Sequence, residues 1–391
     1  MELPHIHISA HWREGQYIPL QGYDTMIRDT YQELDAADIW TEDAELHDVD
    51  RRGNDRDWRG RKMRNELLAA AYMDINPSKS YRLRECGKVL TYRVYEDGTK
   101  VLDSMASCRV RLCPICTWRR SLKIYAQTRE IVDKIAQDYG YRWVMLTLTC
   151  RTVDAAGLSA CLDQLLEGWH RLIRLADVAA VCKGWYRSLE ITHDCYPQIT
   201  PEMWHGDPAR HIKARGSWYK AHGYHIGDDN PNYDMYHPHI HALICVAPSY
   251  FKGRGYIRQS RWAELWRDAM RVDYMPRVDI RTVKGATMDE INSAVCEVSK
   301  YAAKDADYII PDDWDLTVDT VRTLDYALDR RRLVAYGGVM RAIKRALRQD
   351  DVEDGDLVNV GDNPLAPDGQ AYRLVSYWWY TGYRQYYRVD P

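Results

Sequence analysis

The residues with most chemical promise are His237-Pro238-His239-Ile240-His241, which run into the apolar stretch Ala242–Val246. In an extended strand, alternate residues project from one face. His239 and His241 therefore point the same way, roughly 7 Å apart along the chain, and can converge on one divalent ion. Neutral imidazole suits Mn, Zn and related ions. An isolated His-x-His is more often a pair of satisfied surface histidines, so the reading needs further donors. Glu190, in Arg187-Ser188-Leu189-Glu190-Ile191-Thr192, offers a carboxylate on a second strand. With two imidazoles it makes a three-ligand site with positions left for substrate oxygen or water. An ion pair with Arg187 or Arg281 is the competing use of Glu190. His237 is a further ligand or a neighbour of one.

Two more groups carry chemistry. Glu297, Tyr301 and Lys304 are spaced four and three apart, one stripe of a helix. A tyrosine nucleophile needs a proton acceptor and a cation near the reacting phosphate, and these types supply both; such a pattern is also common on helix surfaces. In Leu146-Thr147-Leu148-Thr149 the two hydroxyls share a strand face, where Thr147 and Thr149 could contact a DNA backbone. His5-Ile6-His7 has a similar form, but no apolar strand follows it, and it is set aside.

Cys86, Cys108, Cys113 and Cys116 could close a structural Zn2+ site, since Cys113 and Cys116 have the spacing that presents two thiolates from one turn. Zinc would staple a hairpin to the following helix and aim Arg119 and Arg120 outward, toward DNA. The other six cysteines read as ordinary core or surface thiols.

These groups need elements to hold them. Residues 1–60 are polar with little periodicity, and Trp58–Met73 reads as a helix. Tyr81–Met105 reads as a hairpin around Asp97-Gly98, and Trp118–Tyr139 as a helix stopped by Gly140. Strands follow at Trp143–Thr149, Trp185–His193, Tyr236–Ala247 and Arg277–Val283. Helices are expected at Ser159–Leu175, Gln259–Met270 and Met288–Asp305. Residues 195–234 form a long polar insertion, and 316–348 look helical and basic. This order suits an α+β fold in which helices cover an antiparallel sheet.

The 391 residues suffice for two or three domains. No apolar run approaches a membrane span and the N-terminus lacks a signal pattern, so a cytoplasmic protein with reduced thiols is expected. The net charge of −3 argues against a nonspecific nucleic-acid coat, but not against a site-specific DNA enzyme. Basic clusters at 109–123 and 330–348 are offset by acidic runs at 42–50 and 350–356.

Taken in order, Leu146–Thr149, Glu190–Thr192, His237–His241 and Glu297–Lys304 resemble the motif series of the single-tyrosine HUH endonucleases, specifically rolling-circle plasmid replication initiators. The segment Cys108-Arg109-Val110-Arg111-Leu112-Cys113-Pro114-Ile115-Cys116 is also similar to one found there. The resemblance covers roughly Cys86 to Tyr308. It implies a central antiparallel sheet with flanking helices (the HUH fold), a zinc-binding segment before it and a helical region after it. The expected division is an extension (1–75), a cysteine-rich module (76–140), a catalytic domain (141–310) and a basic C-terminal region (311–391). It further implies Mg2+ or Mn2+ on His239, His241 and Glu190, nicking by Tyr301 through a 5′-phosphotyrosyl link, phosphate orientation by Lys304, and water activation by Glu297. Expected partners are plasmid origin DNA, single-stranded or cruciform at the nick site, with host helicase and DNA polymerase. An HUH transposase or relaxase, a histidine-triad nucleotide hydrolase and a zinc-dependent DNA-binding adaptor are the alternatives.

Overall fold

A computed structural model of the chain describes residues 12–13, 16–17, 44–207, 212, 214–253, 255–283, 288–299, 303–310, 312–364 and 369–389. The His5–His7 segment lies outside them, as does Tyr301.

The first helices carry their own start signals. Helix α1, Trp58–Ala71, begins where the Asp57 side chain accepts from Gly60 N, and α2, Pro77–Glu85, where Asn76 accepts from Lys79 N. The Asn76-Pro77 start displaces the hairpin expected from Tyr81, whose strands are β1, Val89–Tyr95, and β2, Lys100–Met105. Helix α3, Pro114–Tyr139, stops at Gly140, whose φ of 61° is the left-handed conformation glycine adopts without strain.

The histidine-bearing half follows: β3 (Arg142–Thr149), α4 (Ala155–Leu172), α5 (Ala176–Val181) and β4 (Cys182–Asp194). The polar insertion contributes α6 (Pro201–His205) and α7 (Gly216–Ala221) before β5 (Met235–Val246). Then come α8 (Gln259–Met270), β6 (Val278–Thr282) and α9 (Met288–Val298). The expected helix to Asp305 is too long: the helix ends at Val298, and Lys304 is extended with φ −86° and ψ 147°. Glu297 and Lys304 therefore do not share one helical stripe.

Beyond it lie α10 (Trp314–Leu328), β7 (Val334–Gly337), α11 (Gly338–Ala346), β8 (Tyr372–Tyr380) and β9 (Gln385–Val389). The stretch read as one basic helical region is thus helix, strand, helix.

Besides the short antiparallel pairing of Trp12–Arg13 with Gln16–Tyr17, two antiparallel sheets organise the described residues. One has order β6-β3-β5-β4-β7 and the other β9-β8-β1-β2. The C-terminal pair completes the sheet begun by the early hairpin, with Tyr372 opposite Tyr95 and Trp378 opposite Val89. Leu146, Leu148, Leu189, Ile240 and Ala242 are fully buried on one face of the larger sheet, where α4 packs against β5 and α8. The opposite face carries the histidines and is approached by α9.

The insertion does not disturb pairing across it. Strands β4 and β5 stay in register from Trp185–Ile244 through Asp194–Met235. Its small core is Ile199, Met203 and Tyr219, and Asn230 ties its end to Asp194 at 2.9 Å. No described helix is long and apolar enough to cross a membrane.

Candidate metal centre and the residues that build it

Register brings the site together. Glu190 pairs with His239 across β4 and β5, Ser188 with His241, and Thr147 on β3 with His241 from the other side. These side chains share one face because antiparallel partners project alike. Glu190 Oε2 lies 2.9 Å from His241 Nε2 and 3.3 Å from His239 Nε2, and all three residues are buried. Two ligand atoms about 2.1 Å from one ion, at roughly right angles, would stand about 3.0 Å apart. The spacing therefore fits a divalent ion.

The far ring nitrogens are also engaged. His241 Nδ1 lies 3.2 Å from Thr147 Oγ1, and His239 Nδ1 lies 3.2 Å from the His237 carbonyl. A carbonyl only accepts, so His239 carries a proton on Nδ1; with an ion bound, Nε2 would turn its lone pair to the site. Burial alone would discourage ionisation of Glu190, but hydrogen bonds and charge from His239 and His241 hold its carboxyl well below the usual range.

The competing partners of Glu190 are otherwise occupied. Arg187 is buried and donates to the Leu333 and Arg332 carbonyls, while Arg281 pairs with Asp279. His237 stands apart from the three-ligand group, because its register partner is Thr192 rather than Glu190. Its imidazole is pushed down to about 4, first by burial and then by repulsion from His239. The two threonines are committed inside the protein: Thr149 Oγ1 donates to the Arg277 carbonyl at 2.9 Å.

The late motif meets this site at its described ends. Tyr186 and Ser188, on the Glu190 face of β4, both donate to the Val298 carbonyl at 3.0 and 2.8 Å, fixing the end of α9. Six residues past Val298, Lys304 Nζ stands 3.7 Å from Glu190 Oε1. The turn at Asp305–Asp307 is held by His193, whose Nδ1 donates to the Asp307 carbonyl (3.1 Å), and by Arg64 on Asp305. Sequence reading missed His193 and Asp307, because neither sits in a motif. Burial drives the Asp307 carboxyl up to about 7, with Lys304 opposing and Glu190 adding to the rise.

The family model for "Replication protein" matches residues 99–387, which include the whole larger sheet and part of the smaller one. The chain belongs to this family of rolling-circle plasmid replication initiators. A "Protein rep" of Bacillus amyloliquefaciens is 34% identical over 367 residues, covering 87% of this chain and 96% of the relative. A "Protein rep" of Streptococcus pneumoniae is 33% identical and covers 82% and 89%; one from Lactiplantibacillus plantarum is 31% identical and covers 85% and 96%. No solved structure matches.

This initiator has a second cluster of ligand atoms. Cys86 Sγ lies 3.6 Å from Cys113 Sγ and 3.5 Å from Cys116 Sγ, and Cys108 Sγ lies 3.7 Å from Cys116 Sγ. A tetrahedral ion with bonds of about 2.3 Å has sulfur–sulfur edges of about 3.8 Å, whereas a disulfide is about 2.05 Å. The four thiols thus fit a metal rather than a bridge. Three sulfur neighbours hold the Cys116 thiol well below its ordinary value. Asn65 Nδ2 donates to Cys113 Sγ at 3.3 Å, and the buried Lys62 ammonium donates to the Cys86 carbonyl at 2.9 Å. Four thiolates on a divalent ion carry net negative charge, which that ammonium offsets. Only the fold brings α1 to the cysteines, so sequence reading missed both.

The arginines expected to point outward do not. Arg119 is fully buried: it donates to the Leu357 and Val358 carbonyls at 2.9 and 2.6 Å and pairs with Asp362 at 2.7 Å. Arg120 donates to the Arg109 carbonyl at 3.1 Å. Arg111 pairs with Glu353, and Lys123 with Asp350. The basic run at 109–123 thus meets the acidic run at 350–362, and Arg119 and Arg120 have no surface to offer a phosphate.

Proposed function

We propose that this initiator nicks one strand of its plasmid origin by HUH-type chemistry, with the larger sheet as the HUH core. The observation that carries the reading is the meeting of Lys304 with Glu190, 3.7 Å apart, beside His239 and His241. Two strands and a late segment, remote in sequence, supply that cluster. Glu190, His239 and His241 would hold Mg2+ or Mn2+, which when bound supplies polarisation of the scissile phosphate and offsets its developing charge.

This chain's residues do the rest. Tyr301 is the nucleophile: its phenolic oxygen bonds to phosphorus as the P–O3′ bond breaks. The phenol proton passes to a base or solvent, and the departing 3′-oxygen takes up a proton to become a 3′-hydroxyl that can prime a polymerase. Tyr301 itself lies outside the described residues. Its tether from Lys304 is three residues, at most about 11 Å, and the anchored Val298 carbonyl bounds the segment on the other side. Lys304 steadies the phosphate charge. Glu297, near the end of α9, activates water to release the 5′-phosphotyrosyl link in the closing step.

Duplex origin DNA needs a separate surface, because Arg119 and Arg120 are buried. Arg341, Arg345 and Arg348 on and just after α11 are exposed and have no ion pair among the described residues, which supports that face. Host helicase and polymerase would act on the exposed 3′ end.

The test is incubation with single-stranded origin oligonucleotide and Mn2+, followed by a denaturing gel. The expected product is a protein–DNA adduct that needs metal and vanishes in Tyr301→Phe. An adduct that survives this substitution, or that forms in chelator, defeats the proposal.

A further inference from the structure

Beside the metal triad is a cavity of about 400 Å³, within the range of small-ligand sites (about 300–1,000 Å³). His237 and Thr149 form its inner side, and the loop before β6 forms the rest with Arg151. Its location follows from register. Thr149 pairs with His239 on one side of β5, and His237 is one alternation along the same strand face. The ring centroids of His237 and His239 are 5.5 Å apart. Anything filling the cavity is therefore a neighbour of whatever the triad holds.

The walls are fixed in advance. Arg277 is pinned by its carbonyl, which accepts from Thr149 N at 3.3 Å and from Thr149 Oγ1 at 2.9 Å. Arg151 N donates to Tyr274 Oη at 3.1 Å, and the Arg151 guanidinium lies over the Tyr274 ring at 4.0 Å. Arg151 and Arg277 are exposed, and neither has a carboxylate partner among the described residues. Met275 stands on the rim, 56% exposed, an apolar side chain with little to cover it.

Two unpaired guanidiniums answer a phosphate backbone, while a thioether and an aromatic ring answer the flat face of a base. A volume of about 400 Å³ is ample for one nucleobase. We propose that this cavity binds the nucleotide adjacent to the scissile phosphate in unpaired DNA, with Arg151 and Arg277 on its phosphates and its base against Met275 and Tyr274. The inference rests on the nicking reading, since it takes the triad as the place of the scissile phosphate. It makes the cavity a determinant of which strand position is cut.

The test couples protein and DNA changes. The cut position in a single-stranded origin oligonucleotide is mapped first. Abasic sites are then walked across that position, and binding is followed by fluorescence anisotropy in full-length protein, with Met275→Ala, Arg277→Ala and Arg277→Lys as variants. These side chains are exposed, so folding is not at stake. One abasic position beside the cut should weaken wild-type binding at least fivefold, and that penalty should shrink to within twofold in Met275→Ala. Arg277→Ala should lower the slope of log K against log salt by about 0.7, and Arg277→Lys should restore it. Cleavage by Arg277→Ala should show a raised KM at nearly unchanged kcat.

The cavity proposal is overturned if no abasic penalty depends on Met275, or if the coupled position lies several nucleotides from the cut. If the coupling appears but no oligonucleotide is ever cut, the nicking reading fails on its own. Cutting without coupling removes the cavity and leaves the nicking reading intact.

Discussion

Thr147 and Thr149 form a matched pair on one strand face, and the structure gives them different work. Thr147 Oγ1 is 3.2 Å from His241 Nδ1, while Thr149 Oγ1 donates to the Arg277 carbonyl. Thr147→Val keeps the side chain's shape and deletes the hydroxyl. An ion on His241 Nε2 requires the ring proton on Nδ1, where Thr147 Oγ1 accepts it; without that acceptor the tautomer with the proton on Nε2, facing Glu190 Oε2 at 2.9 Å, is favoured. An incoming ion must displace that proton and hydrogen bond. The loss of one neutral hydrogen bond is about 1 kcal/mol, and outer partners of metal-bound imidazoles are worth about 10- to 100-fold in affinity. Mn2+ affinity, measured by titration calorimetry or by the free-Mn2+ paramagnetic signal, should fall about tenfold, or about 1.4 kcal/mol. Thr149→Val should stay within about twofold of wild type. Equal affinities for the two variants, or the larger loss in Thr149→Val, would refute the assignment of Thr147 as the group that orients His241.

Other perturbations separate the remaining roles. Cys113→Ser should abolish stoichiometric zinc, and Lys62→Met should cut zinc affinity about tenfold against a competing chelator; unchanged metal retention in both would count against the four-thiol site. Arg119→Ala should lower stability by about 3 kcal/mol, because it removes one of the buried partners of Asp362, with no separate effect on DNA affinity per folded molecule. The triple change Arg341→Ala, Arg345→Ala, Arg348→Ala should do the reverse, lowering the salt slope for duplex DNA by about 2.7 with little change in melting temperature. Asp307 gives a pH test in chelator. Its carboxyl rises from 3.8 to about 7 on folding, so its stabilisation is full below pH 3.8 and is lost as pH climbs through 7. The rise corresponds to at most about 4 kcal/mol, which partial exposure cuts to about 2. Asp307→Asn should flatten that decline in denaturant melts, and an unaltered pH profile would show that the carboxyl is not held neutral.

The sequence by itself determined what depends on short spacing. Alternation in His239-Ile240-His241 settles which side chains share a face, because a strand's period of two leaves no choice. The apolar runs of β3, β4 and β5 locate those strands to within a few residues, since a buried face needs them. Gly140 as a stop and Asp97-Gly98 as a turn follow from positive φ, which is a local property. Cys113 and Cys116 sit one helical turn apart whatever the rest of the chain does.

Tertiary structure decided every pairing between distant segments. The register that sets Glu190 against His239 across forty residues of insertion comes from matching two buried faces, not from the motif. The helix end at Val298 reflects capture of its carbonyl by Tyr186 and Ser188, which no local pattern announces. Arg119 and Arg120 read as a surface patch because charge in sequence looks solvated until a partner is known; the partners of Arg119 lie some 240 residues on, and those of Arg120 include carbonyls of the preceding turn. The same holds for β8 and β9, which join β1 from the far end of the chain. Local geometry is written in neighbouring dihedral angles and side-chain periods, whereas burial and ion pairing depend on which surfaces the whole chain brings into contact.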